Sequence, residues 1–175
     1  TKTIAETAIF AAIICICAQL SVPLPYVPVT MQIFGIFLAL EFLGGKRGTL
    51  CVLLYILLGL SGLPVFASFG AGAGVLLGAT GGYIIGFLPM ALAYAYLKAG
   101  LKPKSTFANM LICEAALLIC YAFGTFWFMT IYSANGKPAS FASVLLACVV
   151  PYVLPDTLKI YLACKTAKLL KKITL

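Results

Sequence analysis

Residues 106–132 read TFANMLICEAALLICYAFGTFWFMTIY, a run in which Glu114 is the one formally charged side chain. As an α-helix at about 1.5 Å per residue the run is about 40 Å long, more than the roughly 30 Å of hydrocarbon in a bilayer. Apolar residues line it on every side, so it asks for an apolar solvent and reads as a membrane span. Five further segments read the same way, at about 3–22, 30–43, 49–60, 83–97 and 141–170. The first stops at Pro23 and Pro25, which cannot extend a helix, and the last is interrupted by Pro151 and Pro155. The first run is too long for a cleaved signal peptide. These segments imply an all-α integral membrane protein, a single domain over 1–175 with six transmembrane helices.

Composition supports the same fold class. Of 175 residues, 63% are hydrophobic and 9% charged, whereas a soluble domain has about 45–50% and about 25%. The twelve Lys and Arg outnumber the four acids, Glu6, Glu41, Glu114 and Asp156, but they fall between apolar runs as topology signals and do not form a nucleic-acid surface. Lys2, Lys46, Arg47, Lys98, Lys102, Lys104, Lys165, Lys168, Lys171 and Lys172 fall on one side of the predicted spans. Lys137 stands alone on the other, and Lys159 lies within the last span. Positive charge gathers on the cytoplasmic side, so both termini are expected there, with three long, nearly uncharged loops outside.

Several chemistries are excluded by what the chain lacks. It contains no histidine, the usual proton shuttle and the commonest metal ligand. Seven cysteines (15, 17, 51, 113, 120, 148 and 164) make no CxxC pair and sit in apolar runs, where cysteine behaves as a small hydrophobe. Residues 100–105, GLKPKS, lack the spacing of a phosphate loop. No catalytic residue, metal or cofactor is expected. An intramembrane enzyme would have to rest on a Ser/Lys dyad.

The candidate site lies in the broken last span, VVPYVLPDTLK at 149–159. Pro155 suits the first position of a helix, which would set Asp156 in the first turn near the positive end of the backbone dipole. Lys159 lies one turn further on the same face. Counting back from Lys171 places Asp156 roughly 22 Å above the inner surface. Ionisable groups at that depth are functional candidates, and broken helices there line cavities. The plainer alternative is that the pair only neutralises itself and pins two helices. Glu114 reads first as a structural hydrogen-bonding group and second as a proton-coupling site.

Two patterns of small residues remain. Gly70, Gly74, Gly78, Gly82 and Gly86 recur every four residues. The stretch 61–82 reads as a loop first, in which glycine lets backbone approach a ligand, and as a helix-packing stripe from Gly78 on. Ala8 and Ala12 form a small-residue face on the first span, directed either into the bundle or at a partner membrane protein.

Read together, VPVTMQ at 27–32, LGGKRG at 43–48, LLY at 53–55, GLPVF at 62–66, GATGGY at 78–83 and PDTLK at 155–159 resemble the BioY family. That family comprises the biotin-binding S components of energy-coupling-factor vitamin transporters. The likeness covers nearly the whole chain in order. It departs at Ala79, commonly proline in the family, and at Pro155, where glycine is frequent. The resemblance implies a six-helix S-component bundle in a bacterial plasma membrane. Such a bundle binds biotin from outside and is energised by a transmembrane coupling protein and two ATPases. The coupling protein would dock on Ala8 and Ala12. Asp156 would accept from the ureido N–H groups of biotin, and Lys159 would donate to the ureido carbonyl or to the carboxylate tail. Thr30, Gln32, Thr80 and Tyr83 would be secondary polar partners, and Phe66 and the glycine backbone, Gly74 included, would enclose the rings. The alternatives are an S component for another vitamin, or a stand-alone secondary carrier.

Overall fold

The structure is a computed structural model that describes residues 2–24, 27–136 and 140–174; Pro25 and Lys137 lie outside the described residues. In chain order come α1 (Lys2–Gln19), β1 (Ser21–Val22), β2 (Val29–Thr30), α2 (Gln32–Leu43) and α3 (Gly45–Leu60). A 3-10 turn (Ala67–Phe69) follows, then α4 (Ala73–Leu77), α5 (Gly81–Leu101), α6 (Thr106–Ala134), α7 (Phe141–Cys148) and α8 (Val150–Thr174). α1, α5 and α6 are long and apolar enough to cross a membrane. α7 and α8, bent by 41° at their junction, make a fourth span if taken as one. α2 is equally apolar but has only 12 residues.

α2 forms the centre of the bundle. Ile36, Phe37, Ala39 and Leu40 are fully buried, and Gln32 and Glu41 near its two ends are buried as well. A helix that is apolar all round has to be enclosed on all sides, and α1, α3 and α8 pack directly on this one. Outward, Ile4, Leu92, Phe107, Phe126, Leu154 and Leu158 are all more than half exposed. So much apolar surface suits lipid and would be a liability in water.

The most extensive helix pair is α5 with α6, and it depends on glycine. A side chain at Gly82 would overlap Trp127, one at Gly124 would overlap the Tyr83 ring, and one at Gly86 would stand 3.2 Å from Cys120 Sγ. Part of the four-residue glycine stripe is therefore a packing face.

Local structure departs from the sequence expectation at several points. Residues 20–30 contribute a small hairpin, with Ser21 opposite Thr30 and Val22 opposite Val29, where the first span was expected to run on to Val22. Pro23 removes the donor that would continue a helix, and the short strands Ser21–Val22 and Val29–Thr30, three of whose four residues are β-branched, pair instead. α3 starts a turn early, because Gly44 (φ 86°) makes the reversal alone and leaves Lys46 and Arg47 inside the helix. Gly74 and Gly78 lie in and after α4, so packing by the stripe begins only at α5. The break in the last span falls at Val149 (φ −125°, ψ −58°), ahead of both prolines. Pro151 is then the second residue of α8, where its missing N–H has no acceptor to lose. Pro155 lies inside α8, so Asp156 is in its second turn and not at the dipole end expected from sequence.

Candidate functional site

The junction of α7 with α8, the start of α5 and the start of α2 converge on a cavity of about 230 Å³. Asp156 and Lys159 enter it from α8 and are 5% and 7% exposed. The Lys159 ammonium donates to Asp156 Oδ1 at 2.7 Å, and the Tyr121 hydroxyl, from α6, donates to Oδ2 at 2.7 Å. Both carboxylate oxygens are thus held, but each retains a lone pair. The ammonium has two N–H donors beyond the one it gives to Asp156.

The polar wall opposite is built by residues that sequence analysis also selected. Thr30, at the end of β2, donates to Gln32 Oε1 at 2.8 Å and accepts from the Gln32 backbone N–H at 3.3 Å. The Gln32 amide N–H in turn donates to the Tyr55 hydroxyl of α3. Tyr83 stands in the first turn of α5, its hydroxyl 3.4 Å from Thr125 Oγ1. Thr80 occupies the N-cap of that helix without spending its side chain on a capping bond, so its hydroxyl remains available to the cavity it lines.

Apolar groups complete the lining. Phe66 stands edge-on to Tyr55, with ring centroids 5.5 Å apart. It fits because Gly59 beneath it has no side chain to collide with the ring. Ile33, Val75, Ile84 and Phe87 add further surface, and Cys120 and Cys148 face the cavity as small apolar groups.

Two surface segments form the rim. The hairpin loop contributes Val27 and Pro28, and Val27 is tied to α8 by the Tyr152 hydroxyl, which donates to its carbonyl. The strap between α3 and α4 contributes Phe66 and Ala67 and is tied to α1. Gln19 Nε2 donates to the Pro64 and Phe66 carbonyls at 3.2 and 3.0 Å, while Gln19 Oε1 accepts from the Phe69 N–H at 3.0 Å. Ser68 and Phe69 within this strap hold positive φ (55° and 58°), a conformation that side-chain-bearing residues adopt at a cost of order 1–3 kcal/mol.

Asp156, Lys159, Tyr83, Thr80, Gln32, Thr30 and Phe66 therefore share one cavity, whereas Gly74 lies in α4 outside the lining. Tyr121 and Tyr152 were not among the residues expected from the sequence. Tyr152 carried a signal, since it precedes Asp156 by one helical turn on the same face. Tyr121 carried none, because its pairing with Asp156 exists only once α6 and α8 pack. Glu114 lies beside Thr157 of α8, and its Oε1 is buried without a hydrogen-bond partner among the described residues. Ala8 and Ala12 face outward from α1, which removes the expectation that they pack within this bundle.

A helical membrane bundle with a half-open, mostly apolar cavity around one buried ion pair suits a small amphipathic molecule. The profile of the BioY family matches residues 1–174. The biotin transporter BioY of Thermotoga maritima is 40% identical over 173 residues, covering 98% of this chain and 97% of that protein. A probable biotin transporter BioY of Pyrococcus horikoshii is 37% identical over 158 residues, covering 90% and 89%. The crystal structure of the S-component for biotin from an ECF-type ABC transporter superposes with a TM-score of 0.85 at 28% identity, covering 98% of this chain and 91% of that one. The chain belongs to the BioY family.

Proposed function

We propose that this chain is the biotin-specific S subunit of an energy-coupling-factor importer, capturing biotin with high affinity from the outer side of a bacterial plasma membrane and doing no covalent chemistry. The supporting observation is its likeness, over 98% of its length, to the S-component for biotin. In this reading the chain crosses the membrane six times as one domain, with α7 and α8 together forming the last crossing and both termini cytoplasmic.

The cavity suits such a ligand. Biotin carries a ureido ring with two N–H donors and a carbonyl, an apolar sulfur ring and a carboxylate tail. Asp156 accepts from the ureido N–H groups, and Lys159 donates its remaining N–H bonds to the carbonyl or the tail. Thr30, Gln32, Thr80 and Tyr83 take the secondary polar contacts, and Phe66 covers the rings. A buried ion pair is costly when its lone pairs and protons stay unmatched, so a ligand that supplies the missing partners is favoured over an empty site. Energy for release comes from a transmembrane coupling protein and two ATPases, with the coupling protein docking on Ala8 and Ala12.

Equilibrium titration of the purified protein with biotin tests this proposal, and repeating it with biotin methyl ester locates Lys159. Saturable binding of one biotin per chain is expected, with melting raised by about 2.7 kcal/mol of stabilisation at a hundredfold excess over Kd. Failure to bind biotin in a folded preparation overturns it. An ester bound as tightly as the acid assigns Lys159 to the ureido end.

A further inference from the structure

A second buried polar cluster lies away from the cavity on the same helices. Glu41 of α2 is 7% exposed, Cys113 of α6 is fully buried and Cys164 of α8 is 6% exposed. One ligand atom from each lies within 4.8 Å of the other two. The Cys113 thiol stands 3.6 Å from Glu41 Oε1, and the Asn109 amide nitrogen stands 2.6 Å from that oxygen and 3.5 Å from Cys164 Sγ. Asn109 Oδ1, turned the other way, is buried with no partner among the described residues. The two ends of an amide have nearly the same shape, so the group can turn over. Its oxygen would then face a carboxylate oxygen and a sulfur, which suits a cation between them once the thiols are ionised.

We propose that Glu41, Asn109, Cys113 and Cys164 form a binding site for a divalent, thiophilic metal ion of the zinc class. A tetrahedral ion with metal–sulfur bonds of about 2.3 Å and metal–oxygen bonds of about 2.0 Å has sulfur–oxygen edges of about 3.5 Å. The Cys113 Sγ–Glu41 Oε1 edge here is 3.6 Å and the edge from Cys164 Sγ to the Asn109 amide is 3.5 Å, while the Asn109–Glu41 edge, 2.6 Å as a hydrogen bond, opens to about 3.3 Å around an ion. Two sulfur donors select against magnesium and calcium, which take oxygen. Charge closes as well. Without the ion, Glu41 is neutralised by Lys98, whose ammonium lies 2.5 Å from Glu41 Oε2. With it, two thiolates, one carboxylate, the ammonium and the divalent ion again sum to zero. Two S–H bonds break and two metal–sulfur bonds form, and the two protons leave to water. Lys98 also borders an open cavity of about 480 Å³ between the α2–α3 junction and α5. Bound there, it would clip α2, α6 and α8 together about 12 Å along the helices from Tyr121 and Asp156, eight residues away on each.

The test uses the whole chain in detergent, reduced, stripped by a chelator and titrated with cadmium and with zinc. One equivalent retained per chain and an ultraviolet thiolate-to-cadmium band are expected. The C113S/C164S double variant loses both the ion and the band, and Cys15→Ser keeps both. An unmodified protein that retains no ion overturns the proposal, as does a double variant that still retains it or a Cys15→Ser variant that does not. Should the double variant fail to elute as a single species, Cys164→Ser decides alone: a weakened band supports the site, and a band of full strength overturns it.

Discussion

Asp156 is a carboxylate held at both ends, by Lys159 at Oδ1 and Tyr121 at Oδ2, so its rotamer is set before a ligand arrives. Asp156→Asn removes the charge and turns part of an acceptor into a donor, and biotin affinity is expected to fall by about 1.5–3 kcal/mol in calorimetric titration, the scale of a hydrogen bond to a charged group. Tyr121→Phe leaves the charge in place but frees Oδ2, and a loss of about 1 kcal/mol is expected in the same measurement. The Asp/Lys pair was legible in sequence because charge is costly inside an apolar run, so two such groups one helical turn apart mark a site. Tyr121 was not legible, since 35 residues separate it from its partner and only helix packing joins them. Gly74 was expected to enclose the rings as part of the glycine backbone. It has open space where a side chain would go and does not line the cavity, so Gly74→Ala is expected to change biotin affinity by less than about 0.5 kcal/mol.

Hydropathy located the long helices because burial in lipid imposes the same demand on each turn; in the structure the start of α6 is capped by Ser105, which accepts a bond from the Ala108 N–H at 3.1 Å. The hairpin and α4 were hidden, since segments of two and five residues rest on tertiary contacts and show no periodicity of their own. The start of α8 was misjudged because a proline near a helix end is compatible with more than one register. The glycines of α5 and α6 give the element-scale prediction. Gly124→Ala drives a methyl into the Tyr83 ring and is expected to lower stability by about 1–3 kcal/mol in detergent melting, with biotin affinity falling as Tyr83 is displaced. Gly100→Ala meets nothing within 4 Å and is expected to leave stability unchanged or raise it by up to about 1 kcal/mol.

At the scale of the whole molecule, the cavity around Asp156 and the outward small-residue face occupy different parts of one bundle. Ala8→Trp is expected to leave biotin affinity unchanged while abolishing co-purification with the coupling protein, because close helix approach needs small side chains. Loss of biotin binding in that variant would mean that the face belongs to the fold and not to a partner. The two parts are nevertheless mechanically joined. The helix that carries Ala8 and Ala12 ends in Gln19, whose amide grips the strap at three backbone atoms. Tilting α1 without carrying the strap along would break all three bonds and release a backbone already wound the unfavourable way at Ser68 and Phe69. A tug at one face of the bundle therefore reaches Phe66, at the mouth of the pocket, through a single glutamine.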